Sequence, residues 1–332
     1  MKKNNISVVI VCYNEIKNIK DCLDSLVHQT YPKSKYEIVV VDNNSNDGTI
    51  EIIKDFVKKY KNISLIINPK RGIAGSRNIG VKRAKYSLVA FTDADCVVPK
   101  NWLENYNEAF EKYKRIYKNL AGLGSGNVPP ETTNFYKALK IMLNSFLGSR
   151  GSTQGKLFKH EKLVNHIPCV NVMYKKKIIS NIGWFDVSFG NIGEDQDLTF
   201  RLNKKGFKFL YIPNNIVIHK MRDNIFKWSK NMFVYGKGRM WLLKKHPQMF
   251  STLFLAPIFL VIVLFFSFFS FFSFFFLIIL ATYLIFVLVY SIFLSLKYKK
   301  LFLFFLLFIL FFETHLFYGM GEIYGIFRKR GN

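Results

Sequence analysis

Acid is what this chain has least of: 22 aspartates and glutamates stand against 48 lysines and arginines, a formal net charge of +26. Such a balance implies an anionic partner close by. Cysteine is scarce as well. Cys12, Cys22, Cys96 and Cys169 show no CxxC spacing, which excludes a zinc ribbon and a disulfide framework and leaves four unpaired thiols. Charge of either sign is missing altogether from Ser251 to Leu296, 46 positions in a row. One bilayer crossing needs only about 20 apolar residues, so this gap excludes a wholly soluble protein.

A single unbroken span of that length would overshoot the membrane, so the stretch reads as two crossings, with Pro257 inside it and a turn near Ser270–Ser273 in "SFFSFFSFFF". A third apolar stretch, Leu301–Phe327, is interrupted by Glu313, His315 and Glu322. Three readings stay open for it: re-entrant, interfacial, or a full third crossing. Two crossings keep Lys297–Lys300 and the tail Arg328–Lys329–Arg330 together on the cytosolic side, where basic loops are retained. The expected organisation is a domain over residues 1–250 (a donor half to about 125, an acceptor half from about 126), a membrane domain over 251–327 and a basic tail, 328–332.

The start, "MKKNNISVVIVCYNE", has a basic beginning and a short apolar run, but Asn14 and Glu15 end it early and no small-residue cleavage pattern follows. It reads as a first strand, not a signal peptide, which puts residues 1–250 on the cytosolic side of a multi-pass cell-membrane protein. Residues 251–332 carry six Lys/Arg against two Glu, leaving +22 on the first 250. In a chain tied to a membrane, acidic lipid headgroups and diphosphates fit that charge better than nucleic acid, for which no module is present.

Apolar runs alternating with helical patterns mark a parallel α/β domain. Strands are expected at Ile6–Cys12, Tyr36–Val41, Ile63–Asn68 and Leu88–Thr92, and helices at Ile19–His28, Gly48–Tyr60 and Ala74–Arg83. Three of the strands run into polar clusters: Tyr13–Asn14–Glu15, Asp42–Asn43–Asn44 and Asp93–Ala94–Asp95. Ligands of open α/β sheets bind beyond the carboxyl ends of the strands, so these clusters are expected to converge on one crevice. On an extended chain Asp93 and Asp95 project to one side and Ala94 to the other. Two such carboxylates repel unless one protonates or a cation sits between them, and Mg²⁺ or Mn²⁺ completed by substrate phosphates meets that need.

Taken in order, "VVIVCYNE", "VVVDNNSNDGT", "GIAGSRNIG", "FTDADC", "NIGWFD", "GEDQDLTFRLNKKGFKFLYIP" and "VIHKMR" resemble the inverting family 2 glycosyltransferases over roughly Ile6 to Pro247. The resemblance implies a GT-A domain, the Rossmann-like nucleotide-diphospho-sugar transferase fold, followed by helical membrane segments. It implies that Tyr13, Glu15, Asp42 and Asn43 hold the nucleoside of a nucleotide-sugar. Many members have an acid where Asn43 stands, and an amide both donates and accepts hydrogen bonds. Arg77 would face the nucleotide, and Asp93, Ala94 and Asp95 its diphosphate, with Asp93, Asp95 and His219 around the metal.

By the same resemblance Asp195 is the general base and Glu194 its neighbour in the acceptor pocket. Inverting transfer needs such a carboxylate, because the acceptor hydroxyl loses its proton as it attacks the anomeric carbon. Both acids also suit a helix start, and Asp197 reads as structural. Arg222, Lys230 and Arg239 are candidates for the diphosphate or acceptor. Processive relatives carry a QxxRW motif; its lack here implies one sugar per encounter. His28, His160, His166, His246 and His315 show no ligand spacing and receive no chemistry. Phe135, Ala138, Leu139, Met142, Leu143, Phe146 and Leu147 fall at helical spacing, for a face laid on the bilayer or packed on the sheet.

The expected activity is transfer of a sugar from a nucleotide-sugar to a hydroxyl of a lipid-linked, polyprenyl-type glycan in surface-polysaccharide or glycoprotein-glycan assembly, with membrane lipids as further partners. Two alternatives stand beside it: a polyprenyl-phosphate glycosyltransferase, and a non-catalytic module that binds a nucleotide-sugar at the membrane.

Overall fold

The computed structural model describes residues 2–149, 153, 155–269 and 273–329; residues 270–272, where the turn between crossings is expected, and Arg330 of the tail lie outside them. The chain forms two compact units, Met1–Val128 with Ser152–Met221, and Pro129–Gly151 with Arg222–Asn332.

In the first unit β1 (Ile6–Cys12), α1 (Ile19–Val27), β2 (Tyr36–Asp42), α2 (Thr49–Lys59), β3 (Ile63–Ile67), α3 (Ile73–Arg83) and β4 (Leu88–Asp93) follow the expected alternation. The short β5 (Cys96–Val97) comes next, then α4 (Trp102–Tyr113), β6 (Leu120–Gly124) and β7 (Asn127–Val128). The second unit contributes α5 (Asn134–Asn144) and α6 (Phe146–Ser149) before the chain returns for β8 (Lys162–Val164), β9 (Asn171–Lys175), α7 (Lys176–Asn181), α8 (Glu194–Lys204), β10 (Lys208–Tyr211) and β11 (Val217–His219).

The main sheet runs β3-β2-β1-β4-β9-β6-β10-β8. Its first four strands are parallel, as the alternation requires, but β9 enters antiparallel between β4 and β6, so the sheet is mixed. Side chains alternate across it. Ile6, Val8, Ile10, Ile38, Val40, Leu88 and Ala90 share one apolar cluster with Leu23, Leu26 and Trp102, from the α1 and α4 side. Val9, Val39, Val41, Val89 and Phe91 share another with Val81, Leu198 and Leu202 from α3 and α8. Each such side chain contributes about 1.5–3 kcal/mol when fully buried, which fixes the register of the strand ends. A second, three-stranded sheet, β5-β11-β7, pairs His219 with Cys96.

The second unit continues with α9 (Ile225–Lys245), α10 (Leu255–Phe269), α11 (Ser273–Lys297) and α12 (Phe304–Phe327). Three segments, Thr252–Phe269, Ser273–Lys297 and Leu301–Phe327, are long and apolar enough to cross a membrane. Along the second half of α12 runs α9, in the same direction. Trp228 Nε1 donates to Thr314 Oγ1 at 2.8 Å, Ser229 Oγ to Glu313 Oε2 at 2.8 Å, and Lys244 Nζ to the Gly325 carbonyl at 2.9 Å. Glycine allows the approach: a Cβ on Gly236 would lie 2.0 Å from the Tyr318 carbonyl oxygen, and one on Gly321 2.0 Å from that of Phe233. The amphipathic stretch from Phe135 is α5 only as far as Asn144; Ser145, in extended backbone, ends it and donates to the Met142 carbonyl. Its partner is α12, through Thr314 Oγ1 to Met142 Sδ at 3.6 Å.

Candidate active site

All candidate residues up to His219 belong to the first unit; the acidic ones sit at or just beyond strand ends and at one helix start, and Arg77 lies within α3. At the end of β2, Asp42 is fully buried. Its two oxygens accept from Ser45 N and Ser45 Oγ, both at 2.7 Å, and from Cys12 Sγ at 3.1 Å, so it shapes the loop that follows. Asn43 Oδ1 accepts from Ser76 Oγ at 2.6 Å, which ties β2 to α3. Glu15 accepts from Asn18 Nδ2 at 2.8 Å, and its carbonyl caps the start of α1. Tyr13 is exposed, with the Arg71 guanidinium 4.5 Å from its ring centroid; no sequence signal singled out Arg71.

The strand β4 ends at Asp93, and Ala94–Asp95 form a turn into β5, not a continued strand. The turn separates the partners of the two aspartates. Asp93 Oδ1 accepts from Arg77 Nη2 at 3.3 Å. Asp95 Oδ2 instead lies 3.3 Å from His219 Nε2, which the pairing of β11 with β5 delivers. The other ring nitrogen, His219 Nδ1, is 3.3 Å from Asn127 Oδ1. The ring is thus anchored through Nδ1 on Asn127, with Nε2 turned to Asp95. Ala94 is buried beneath the turn.

Whether this corner suits a divalent cation is decided by its donor atoms. Ligand-type atoms of Asp95, Cys96 and His219 all lie within 4.8 Å of one another, the one such group among the described residues. Burial pushes the Cys96 thiol well up, with Asp95 and Asp93 adding to the effect, so it stays protonated and is a poor ligand. A carboxylate and an oriented imidazole remain. That pair fits a cation that takes oxygen and nitrogen, with positions left for phosphate oxygens.

Glu194 and Asp195 open α8 behind Gly193, whose φ of 91° is a left-handed conformation that glycine adopts without strain. The helix-start role and the site role coincide here. Glu194 Oε1 is bound by Arg77 Nη1, so one buried guanidinium joins Asp93 to Glu194. Burial works against the Arg77 charge, and the neighbouring Cys169, Glu194, Asp93 and Asp195 side chains more than restore it. Burial likewise pushes the Glu194 carboxyl up from the usual glutamate range, with Arg77 pulling the other way. Asp195 accepts from Gln196 N at 2.7 Å and Cys169 N at 3.4 Å, and its Oδ2 lies 4.0 Å from His166 Nε2. Asp197 is held by Arg201 Nε at 2.8 Å, a structural pair.

Sequence reasoning passed over His166 and Asn127. His166 lies in a connecting segment and Asn127 on the two-residue strand β7, and nothing in their local pattern distinguishes them from loop. Arg222, Lys230 and Arg239 belong to the other unit. There Arg239 Nε donates to Tyr318 Oη at 3.2 Å and its guanidinium lies over Phe254, while Arg222 and Lys230 are exposed.

The model of the family described as Glycosyl transferase family 2 matches residues 7–183. That span carries the three parallel strand ends and stops short of Glu194, Asp195 and His219. Glycosyltransferase AglE of Haloferax volcanii is 31% identical over 247 residues, covering 72% of this chain and 75% of the relative. A Methanococcus voltae enzyme is 29% identical over 256 residues, covering 76% and 78%. Its name is dolichyl N-acetyl-alpha-D-glucosaminyl phosphate 3-beta-D-2,3-diacetamido-2,3-dideoxy-beta-D-glucuronosyltransferase. Among solved structures, the mannosyltransferase PcManGT of Pyrobaculum calidifontis, in complex with GDP-Man and Mn²⁺, superposes with a TM-score of 0.55 at 17% identity, over 75% of this chain and 66% of that one.

Proposed function

We propose, from the premise that this chain belongs to glycosyl transferase family 2, that it moves one sugar at a time from a nucleotide-sugar to a hydroxyl of a lipid-linked glycan. Its fold is GT-A, followed by three apolar helices, and it is a glycosyltransferase. The observation that carries the finer reading is the gathering of Asp95 with His219, and of Glu194 with Asp195, around the Asp93–Arg77 pair. Asp95 and His219 would hold Mn²⁺ or Mg²⁺, which when bound neutralises charge on the donor diphosphate. Asp93, 34% exposed at its side chain, keeps an open edge for the donor while Arg77 fixes the other. Tyr13 and Arg71 supply a ring and a planar cation for the nucleoside. Asp195 takes the acceptor proton as the acceptor oxygen attacks the anomeric carbon and the bond to the nucleoside diphosphate breaks.

The lipid-linked acceptor draws support from the membrane helices and from the dolichyl phosphate in the name of the Methanococcus relative. The donor is taken from the cytosolic side. For the membrane, α10 and α11 cross and the second half of α12 lies in the interface. The helix beside it, α9, carries Lys227, Lys230, Lys237, Arg239, Lys244 and Lys245 and no acid. Each such cation costs about 2.5–3.5 kcal/mol at the bilayer centre, so the paired helices are held at the surface. With two crossings, single cysteines at residues 299 and 328 react with an impermeant maleimide from the same side; labelling from opposite faces gives three crossings.

The test of the activity is nucleoside diphosphate release from a panel of UDP-, GDP- and dTDP-sugars, using the purified chain with Mn²⁺ and polyprenyl lipid extract. Release from one donor, lost with EDTA and with Asp95→Ala, is expected. Full transfer by Asp195→Asn would overturn the base and favour an acceptor phosphate, which is already ionised. Donors that bind without turnover on any lipid extract would favour the non-catalytic module.

A further inference from the structure

We propose that His166 is the positioning residue of Asp195, holding one proton in common with it at rest and, after that proton has left, accepting the hydrogen bond of the proton that Asp195 takes from the acceptor. The inference rests on the reading of Asp195 as base. His166 lies in the segment between β8 and β9, far in sequence from α8, and its ring is anchored on α8 by Nδ1, 3.0 Å from Thr199 Oγ1. The single hydroxyl hydrogen of Thr199 is already directed into its own helix, towards the carbonyls of Asp195 at 3.0 Å and Gln196 at 3.1 Å. Oγ1 is therefore left as an acceptor for the ring, and His166 carries its hydrogen on Nδ1. The Nε2 lone pair is thereby turned to Asp195 Oδ2, 4.0 Å away.

Two lone pairs facing each other repel, and one proton between them removes the repulsion. In the resting enzyme the pair is then either imidazolium beside carboxylate or neutral imidazole beside a protonated acid. The form able to accept from a substrate hydroxyl is neutral imidazole beside carboxylate, reached when the shared proton is released to solvent before the acceptor is deprotonated. In the transfer step the acceptor oxygen forms its bond to the anomeric carbon, and the electron pair of the breaking bond leaves on the diphosphate. The acceptor proton passes to an Asp195 oxygen, where Nε2 accepts its hydrogen bond. The 4.0 Å gap closes by a small turn of the carboxylate, as catalytic contacts do on substrate binding.

The charged and titratable groups facing the pair are Glu194 on α8, Arg77 on α3, Asp93 at the end of β4, Cys169 just before β9 and Tyr174 on β9, whose hydroxyl burial holds protonated. Burial holds the Cys169 thiol protonated, and Arg77 is committed to Asp93 and Glu194, leaving His166 as the group that shares a proton with Asp195. The contrast with His219 supports the division of roles. Its pair with Asp95 has a third ligand-type atom beside it, whereas no such group surrounds Asp195 among the described residues.

The test needs no substrate. In the full chain in detergent, with histidine labelled by ¹⁵N and ¹³C and the His166 signal assigned from His166→Gln, the neutral ring is expected as the Nδ1–H tautomer. Asp195→Asn is expected to move the His166 titration to lower pH by about one unit or more, the effect of removing an opposite charge at this range. Thr199→Val, which keeps the histidine, should raise the Nε2–H fraction. An Nε2–H ring in the unaltered protein, or a titration that ignores Asp195→Asn, would overturn the proposal. With a donor in turnover, His166→Gln should lower kcat on the order of 10–100-fold, less than loss of the base itself, at unchanged KM for the donor and with an altered pH profile of kcat. Unaltered kcat and pH profile in His166→Gln, with Asp195→Asn inactive, sinks the role of His166 and leaves the base standing. Full transfer by Asp195→Asn removes both.

Discussion

The site contains two acidic pairs built to one plan, and their difference shows how one guanidinium can serve two purposes. In each pair one carboxylate is tied to Arg77 (Asp93 and Glu194), and the other faces the Nε2 of a histidine whose Nδ1 is anchored (Asp95 and Asp195). Exposure separates them. Glu194 is enclosed, with 5% of its side chain accessible, whereas Asp93 keeps 34%. Glu194 is thus a structural counter-charge for Arg77, and Asp93 a group with a free edge at the crevice. The histidines differ as well, 3.3 Å from Asp95 against 4.0 Å from Asp195, the first a geometry for sharing a cation and the second for sharing a proton.

Breaking the plan at its common member has the largest expected effect. Arg77→Met leaves two carboxylates without their cation, and removing one partner of a buried pair typically costs about 3–5 kcal/mol. The loss should depend on pH with a definite sign. Burial raises the Glu194 carboxyl above its unfolded value, so that group's contribution to stability is fully present below the unfolded value and is lost as pH rises through the folded one. The melting temperature of Arg77→Met should accordingly fall further below that of the unaltered protein at pH 8 than at pH 5. Next come the histidine-facing members of each pair. Asp195→Asn is expected to lower turnover about 10²–10⁴-fold with Mn²⁺ affinity intact, and Asp95→Asn to weaken Mn²⁺ itself, read by titration calorimetry. If both variants lose metal equally, the two pairs do not divide the labour as described.

A finer break is Asn127→Leu, which frees Nδ1 of His219 without touching a metal ligand. Mn²⁺ affinity should drop about 10–100-fold, as it does when the group orienting a ligating histidine is lost. The smallest effect lies in the other unit, where Glu131 accepts from Lys140 and Lys300 at 2.7 and 2.9 Å, and these contacts pull it down to about 2. Its contribution is present above the unfolded value near 4.5 and is lost as pH falls towards 2. At 46% exposure the pair is worth at most about 1 kcal/mol, so Glu131→Gln should shift the melting temperature slightly at pH 7 and not at all at pH 2.

Both acidic pairs were legible in the sequence, because a strand buried on both faces can place acid only at its end and a helix start tolerates it. The first four strands were legible for the same reason, their ends falling within a residue of expectation. Asn127 and His166 were not, since their roles depend on β11 pairing with β7 and on β9 entering the sheet antiparallel, and neither pairing leaves a local pattern. Arg77 was placed at the nucleotide by resemblance, but its second bond, to Glu194, crosses from α3 to α8 and is a property of the packing alone. The boundary of α5 was missed because the apolar spacing continues past Ser145 while the backbone does not.

The pairing of β5 with β11 has a consequence for the protein while it is being made. Asp95 emerges from the ribosome early and His219 late, and only a two-residue ladder brings them together. A nascent chain can lay down its parallel strands and the fold around the nucleoside well before β11 exists. Until then the Asp95–His219 pair proposed for the cation is incomplete, and on that reading a partly synthesised enzyme is inert towards its donor.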